Sequence, residues 1–177
     1  MVAAAALWVH GEPPLLLDMR AERDYDHVVT LFRRHGRWGA ISKTNGIGLR
    51  GRDAVYRSLR ELAMSYFHEY TNRREQKTLR EYSVPFDLRR IETSLWVSGK
   101  KNCWDVCEKL DELRHFRLVS GRHLNSVTRR DPFEPRVHFG RVARQRLADA
   151  TAEVERAKEN DVRDREAIGN DEAPRTE

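Results

Sequence analysis

Cysteine is scarce in this chain, because its 177 residues include only Cys103 and Cys107. Two cysteines are too few for a disulfide-rich scaffold, and one CxxxC pair lacks the second ligand pair of a structural zinc site. Free cysteines are typical of a reducing compartment, so the expected location is the cytoplasm. The 7 histidines form no HExxH motif. We therefore expect neither a metal nor a cofactor.

Long apolar runs are also missing. No stretch approaches the roughly 20 residues that a membrane-spanning helix needs. The start of the chain, MVAAAALWV, is apolar, but it has no basic residues in front and runs directly into HGEPP, which is unlike a signal peptide. GIGLRG lacks the Lys and the Ser or Thr of a phosphate-binding loop. The sequence thus predicts no membrane contact and no nucleotide-binding loop.

Positive charge is in excess, with a net charge of +5 and a pI of about 9.5. The last 37 residues hold 8 Lys/Arg and 10 Asp/Glu, so positions 1–140 carry about +7. A basic body attracts nucleic acid and other anionic partners. The tryptophans of GRWG and SLWV could stack on bases beside Arg33, Arg34 and Arg37, although packing in the core also explains them.

Aromatic and aliphatic residues concentrate between positions 7 and 118, and none of the aromatics lies beyond Val142. The last part of the chain alternates charges instead. This distribution predicts one α+β domain over 1–140 and a charged tail over 141–177, a helix that frays into disorder.

The patterning within the domain predicts an antiparallel sheet that carries a central hairpin and packs against helices. A capping box of Ser58 and Glu61 marks the start of one helix, and glycines 46, 48 and 51 indicate a flexible loop before it. The predicted elements are a helix over 2–9, a strand over 15–19, the hairpin strands His27–Arg34 and Trp38–Thr44, a helix over 58–70, extended segments over 81–91 and 93–97, and helices over 103–115 and 122–129.

His27 and Asn45 stand at the two open ends of the predicted hairpin. An imidazole can take the proton of a thiol, and a carboxamide can hold that imidazole in one tautomer. The register of the hairpin decides whether the two side chains meet. A two-residue turn at His35-Gly36 pairs His27 with Thr44, whereas a three-residue loop sets His27 opposite Asn45. Both strands are apolar on both faces, so both registers stay open.

Three stretches carry a resemblance to a known family: PPLLLDMRA, DHVVTLFRRHGRWGAISKTN and RDAVYRSLRELAMSYFHEY. They resemble the transglutaminase-like branch of the papain-like cysteine protease superfamily, and more narrowly an uncharacterised bacterial group of that type. The resemblance covers about positions 2–135. It implies a catalytic cysteine at the head of a helix on an antiparallel sheet, with His27 as the base and Asn45 as its orienter. The chemistry would be acyl transfer or amide hydrolysis of an unknown peptide or amide substrate.

The nucleophile of that arrangement is missing, since no cysteine precedes His27. The apolar helix over 2–9 starts without a cap, so we expect a chain truncated inside the nucleophile helix and inactive in this form. Cys103 is the alternative nucleophile. It follows Lys100 and Lys101 at a predicted helix start, where positive charge lowers a thiol pKa. Enzymatic activity therefore stays open.

A second interpretation belongs to a different class. The chain could be a non-catalytic basic module that contacts nucleic acid or a protein partner through the turn that carries Arg33, Arg34 and Arg37. The two interpretations differ in what they require. The first needs His27 and Asn45 on one face of the sheet beside the helix over 2–9, and the second needs accessible arginines at the turn.

Overall fold

The computed structural model describes residues 1–44, 47–97 and 103–131. Within these ranges it confirms the α+β class, with helices packed on a five-stranded antiparallel sheet. No helix of the described ranges is long and apolar enough to cross a membrane. The predicted tail over 141–177 and its boundary at position 140 lie outside the described residues.

The larger sheet has the strand order β4-β3-β2-β1-β6, and β5 pairs with β7 in a second, two-stranded sheet. The strands are β1 Leu15–Met19, β2 His27–Arg34, β3 Arg37–Ile41, β4 Gly51–Tyr56, β5 Glu81–Ser83, β6 Phe86–Asp87 and β7 His115–Arg117. The helices are α1 Val2–Val9, α2 Leu59–Met64, α3 Thr93–Val97, α4 Trp104–Asp111 and α5 Gly121–Leu124, with short 3₁₀ segments at Ile47–Leu49 and Leu88–Arg90.

Strand β1 and the middle of β2 bury side chains on both of their faces, since side chains alternate along a strand. Leu17 lies opposite Val29 on what we name the front face, and Leu16 lies opposite Thr30 on the back face. The front face packs against α2 and the turn after it, through Leu62, Ala63, Tyr66, Phe67 and Tyr70. The back face packs against α1, α3 and α4, through Ala4, Trp96, Val106 and Leu110.

The hairpin of β2 and β3 has a two-residue turn. His35 and Gly36 both have positive φ angles, +49° and +76°, as a type I′ turn requires. Arg34 pairs with Arg37, and Thr30 pairs with Ile41. Of the two registers that the sequence left open, this is the one whose continuation places Thr44 opposite His27. The second strand is also shorter than predicted, since it ends at Ile41.

Several predicted elements were wrong in type or length. Residues 93–97 form helix α3 instead of an extended segment, because the helical turn directs Trp96 into the back core. The expected glycine loop contains strand β4, which pairs with β3. Helix α4 ends at Asp111, and the predicted helical residue His115 lies in β7. Helices α2 and α5 end earlier than expected, at Met64 and Leu124.

The predicted start of α2 is confirmed, because Ser58 caps this helix. The backbone N–H of Glu61 donates to the Ser58 hydroxyl at 3.1 Å. The Glu61 carboxylate accepts from the backbone N–H of Arg57 at 2.6 Å, one residue before the position of a standard capping box. The cap fixes the entry of α2 onto the front face.

Gly39 lets an aromatic side chain lie flat on the back of the sheet. A Cβ atom at this position would lie 2.4 Å from Cζ of Phe32, its cross-strand partner. We predict that Gly39→Ala lowers the free energy of unfolding by about 1 kcal/mol or more, because the ring must leave its place. Urea unfolding measures this change.

Two variants make that prediction specific. Gly121→Ala meets no atom within 4 Å and should change stability by less than about 0.5 kcal/mol. In a Phe32→Leu background, Gly39→Ala should lose most of its cost. An equal cost in both backgrounds would show that the ring is not the cause.

Candidate functional site

His27 lies on the front face at the first position of β2, where only 6% of it is exposed. Its imidazole packs between two tyrosines that follow α2. The ring centroids are 5.3 Å from Tyr66 and 5.2 Å from Tyr70. The start of the central strand and the turn after α2 therefore hold the imidazole in an aromatic cage.

Burial keeps the imidazole of His27 neutral, although polar groups lie near it. Nε2 of His27 lies 3.5 Å from the Ser42 hydroxyl, and this hydroxyl donates its own proton to the Leu49 carbonyl at 2.7 Å. Burial lowers the pKa of His27 from 6.5 to about 4; a hydrogen bond to the Leu49 backbone opposes the shift, and the positive charge of Arg52 adds to it. At neutral pH the ring carries no charge.

The side chains around His27 make structural contacts with neighbouring segments of the chain. The Tyr70 hydroxyl donates to the Tyr25 carbonyl at 2.6 Å. The Tyr66 hydroxyl is buried without a hydrogen-bond partner in the described part of the chain, and burial raises its pKa to about 12. The Arg52 guanidinium lies 4.1 Å from the Tyr66 ring centroid and pairs with Glu69 at 2.6 Å. Both tyrosines stay protonated at physiological pH.

Asn45, the predicted orienter of His27, lies outside the described residues. The hairpin register favours Thr44 as the residue opposite His27, and β3 ends before it reaches either position. The pairing of His27 with Asn45 therefore stays a prediction.

Both thiols lie on the other side of the sheet. Cys103 packs against the back core, and its thiol donates to the Leu95 carbonyl at 3.2 Å. Burial and the nearby Asp111 raise the pKa of Cys107. Lys100 and Lys101, which were expected to activate Cys103, lie outside the described residues.

Helix α1 is also on the back face, where Ala4 packs with Leu16. The resemblance implies a helix that carries the nucleophile beside the catalytic histidine. In this chain the sheet lies between α1 and the imidazole of His27, since that imidazole packs with the front core. The geometry expected of a histidine beside the nucleophile helix is not found in the described residues.

A buried pair that sequence reasoning missed joins β1 to β7. Nε2 of His115 lies 2.9 Å from Oδ2 of Asp18, and both side chains are only 3% exposed. Nδ1 of His115 lies 2.8 Å from the Leu113 carbonyl oxygen, which can only accept, so Nδ1 carries a proton. Nε2 shares a hydrogen bond with the Asp18 carboxyl group, whose pKa is raised by burial.

This pair does not form a hydrolytic triad with the nearby Ser83. The serine hydroxyl accepts a hydrogen bond from the Asp18 backbone N–H at 3.0 Å, and Ser83 is the cross-strand partner of His115. In a triad one ring nitrogen must take the proton of the nucleophile. Both nitrogens of His115 are already engaged, so the pair supports the fold.

Asp18 belongs to a group of carboxylates with Asp26 and Asp111, whose oxygens lie within 4.8 Å of one another. Oδ1 of Asp26 accepts from the Ala21 backbone N–H at 2.8 Å, and Oδ2 of Asp18 is held by His115. We assign these carboxylates to local structure. The sequence held one signal for the site, the single acidic residue inside the apolar run LLLDM.

The buried neutral state of His27 predicts how stability depends on pH. The pKa of His27 is lowered on folding, so the unfolded chain binds a proton near pH 6.5 that the folded chain does not bind until about pH 4. Stability should therefore fall as pH falls through this window, by about 3 kcal/mol in total from this group. Urea unfolding at pH 7, 5.5 and 4.5 measures the slope.

Variants separate His27 from the other titrating groups. His27→Gln should unfold more easily at pH 7 but lose less stability between pH 7 and 4.5 than the unmodified chain. His68→Gln replaces an exposed histidine and should leave the slope unchanged. A slope that survives in His27→Gln would place the pH sensitivity elsewhere.

No protein-family model matches the chain, and a search of curated proteins finds no match to it. The transglutaminase-like resemblance therefore rests on the residues of the sequence alone.

Proposed function

We propose that this chain is a non-catalytic domain that binds an anionic partner. The observation that carries the first part is the separation of the reactive groups: His27 faces the front core, and the two cysteines lie at the back of the sheet. This agrees with the expectation of an inactive transglutaminase-like domain. It also argues against Cys103 as the nucleophile that His27 would activate.

The chemical properties of the groups support the same conclusion. A thiol becomes a strong nucleophile when a base within hydrogen-bond distance takes its proton. A base works best when its pKa is near the working pH, and the pKa of His27 is about 4. The pKa of Cys107 is raised, so its thiolate is rare at neutral pH.

The charge distribution supports the binding part of the proposal. Positions 1–140 carry about +7, and the three arginines of the hairpin turn differ in what they contact. Arg34 makes two hydrogen bonds of 2.6 Å with the Glu12 carboxylate, which compensates its charge. Arg33 makes no ion pair within the described residues and is exposed. Of these two arginines, Arg33 is therefore the one available to an anionic partner.

The absence of thiol activation can be tested by alkylation with iodoacetamide. Cys107 should react slowly at pH 7 and faster as pH rises above about 8.5, because its pKa is raised by burial. The rates of both cysteines should be the same in His27→Gln, since that side chain faces the opposite core. Mass spectrometry of single-cysteine variants follows each site.

A different result would contradict the proposal. An alkylation rate that is already at its plateau below pH 7, and that falls in His27→Gln, would mean that the imidazole activates a thiol. Circular dichroism of each variant first verifies that it is folded.

Heparin is a suitable polyanion for testing whether the chain binds an anionic partner. We expect fluorescent heparin to bind at 50 mM salt and to lose about tenfold in affinity at 200 mM, because binding of a polyanion releases counterions. Fluorescence anisotropy measures both constants. Affinity that does not change with salt, or no binding at 50 mM, would contradict an electrostatic binding surface.

A further inference from the structure

Three side chains form a row across β2, β3 and β4 on the front face. Arg33 of β2 is the cross-strand partner of Trp38 of β3, and Trp38 is the partner of Tyr56 of β4. Neighbouring strands are about 4.8 Å apart, so the three side chains stand side by side. We name this set the aromatic row.

The aromatic row is accessible and carries a positive charge. The guanidinium carbon of Arg33 lies 4.8 Å from the Trp38 ring centroid, and its NH2 group donates to the Gly36 carbonyl at 3.1 Å. Trp38 and Tyr56 are half-buried, with their inner edges against the front core. Each residue is therefore partly accessible to solvent.

The chemistry of the row selects one class of ligand. Flat aromatic side chains on a sheet stack on unpaired bases, and an adjacent arginine can stack on a base or contact a phosphate. An acidic peptide would use the positive charge but would have no planar group for the two rings. A double helix hides its base faces in the stack.

We infer that the aromatic row binds single-stranded nucleic acid, with bases on Tyr56 and on the Arg33 guanidinium that covers Trp38, and with the backbone phosphates beside that guanidinium. This inference rests on the proposed binding of an anionic partner and adds its class and its site. Arg34 and Arg37 point to the back face, because they alternate with Arg33 and Trp38 along their strands. The nucleic acid therefore runs over the front of the hairpin turn. Of the three arginines of this turn, only Arg33 lies on that face.

Fluorescence anisotropy with a labelled 15-nucleotide oligothymidine at 50 mM salt tests the row. Arg33→Gln and Tyr56→Leu should each weaken binding by about tenfold, which is within the usual effect of losing one base–aromatic contact. Arg90→Gln removes the same charge from an exposed arginine outside the row and should change affinity by less than about twofold. Arg33→Lys keeps the charge and loses the planar group, so its affinity should lie between those of the unmodified chain and Arg33→Gln.

Three other outcomes would contradict the aromatic row as the binding site. The first two would leave the proposed function intact. Equal losses in Arg33→Gln and Arg90→Gln would mean that net charge alone drives binding. Poly-glutamate that competes as well as unlabelled oligothymidine, at the same charge concentration, would lead to the same conclusion. Failure to bind both oligothymidine and heparin would overturn the proposed function as well.

Trp38→Phe, which keeps a ring against the core, should bind within about threefold of the unmodified chain, in keeping with a tolerant stacking surface.

Discussion

The burial of both faces of β1 and β2 is the constraint on which the rest of the structure depends. Leu17 and Val29 fill the front core, while Leu16 fills the back core from the next position in the chain. A one-residue change of register would exchange the two sets. The same alternation separates the reactive groups, because His27 shares the front face with Val29, whereas helix α4 with its N-cap, which carries both thiols, packs at the back. The separation of the imidazole from the two thiols is thus a consequence of topology.

The two buried histidines show how surroundings determine charge. His27 has aromatic neighbours, a hydroxyl 3.5 Å away and a hydrogen bond to the Leu49 backbone, but burial dominates and lowers its pKa to about 4. His115 is equally shielded, but a carboxyl group lies 2.9 Å from one ring nitrogen and a carbonyl oxygen lies 2.8 Å from the other. A hydrogen-bond partner at each ring nitrogen offsets the cost of burying it. The first histidine makes stability sensitive to acid, and the second ties together strands that are distant in sequence.

Local patterns predicted the parts of the fold that depend on local chemistry. The bounds of α1 follow from helix propensity and the stop at Gly11, those of β1 and β2 from short runs of apolar, β-branched and aromatic residues, and the Ser58 cap from its spacing to Glu61. The turn register was not predictable, because both faces of the hairpin are apolar and the choice depends on the positive φ angles of His35 and Gly36. The partner of Asp18 was not predictable either, since it is 97 residues away and the sequence around His115 has a helical period.

The net charge of the sequence does not show which arginines are available to a ligand, because some of them form ion pairs in the fold. Arg33 and Arg34 are neighbours, yet Arg34 meets Glu12 at 2.6 Å on the back of the sheet while Arg33 lies on Trp38 at the front. Other acidic residues are engaged in the same way, as in the pairs of Arg80 with Glu22 and Arg130 with Glu75. Ion pairs that are exposed to solvent add about 0–1 kcal/mol each to stability. All such pairs also compensate negative charge that would otherwise lie near accessible arginines. Alternation along a strand therefore decides which arginine supports the fold and which one stays accessible to a ligand.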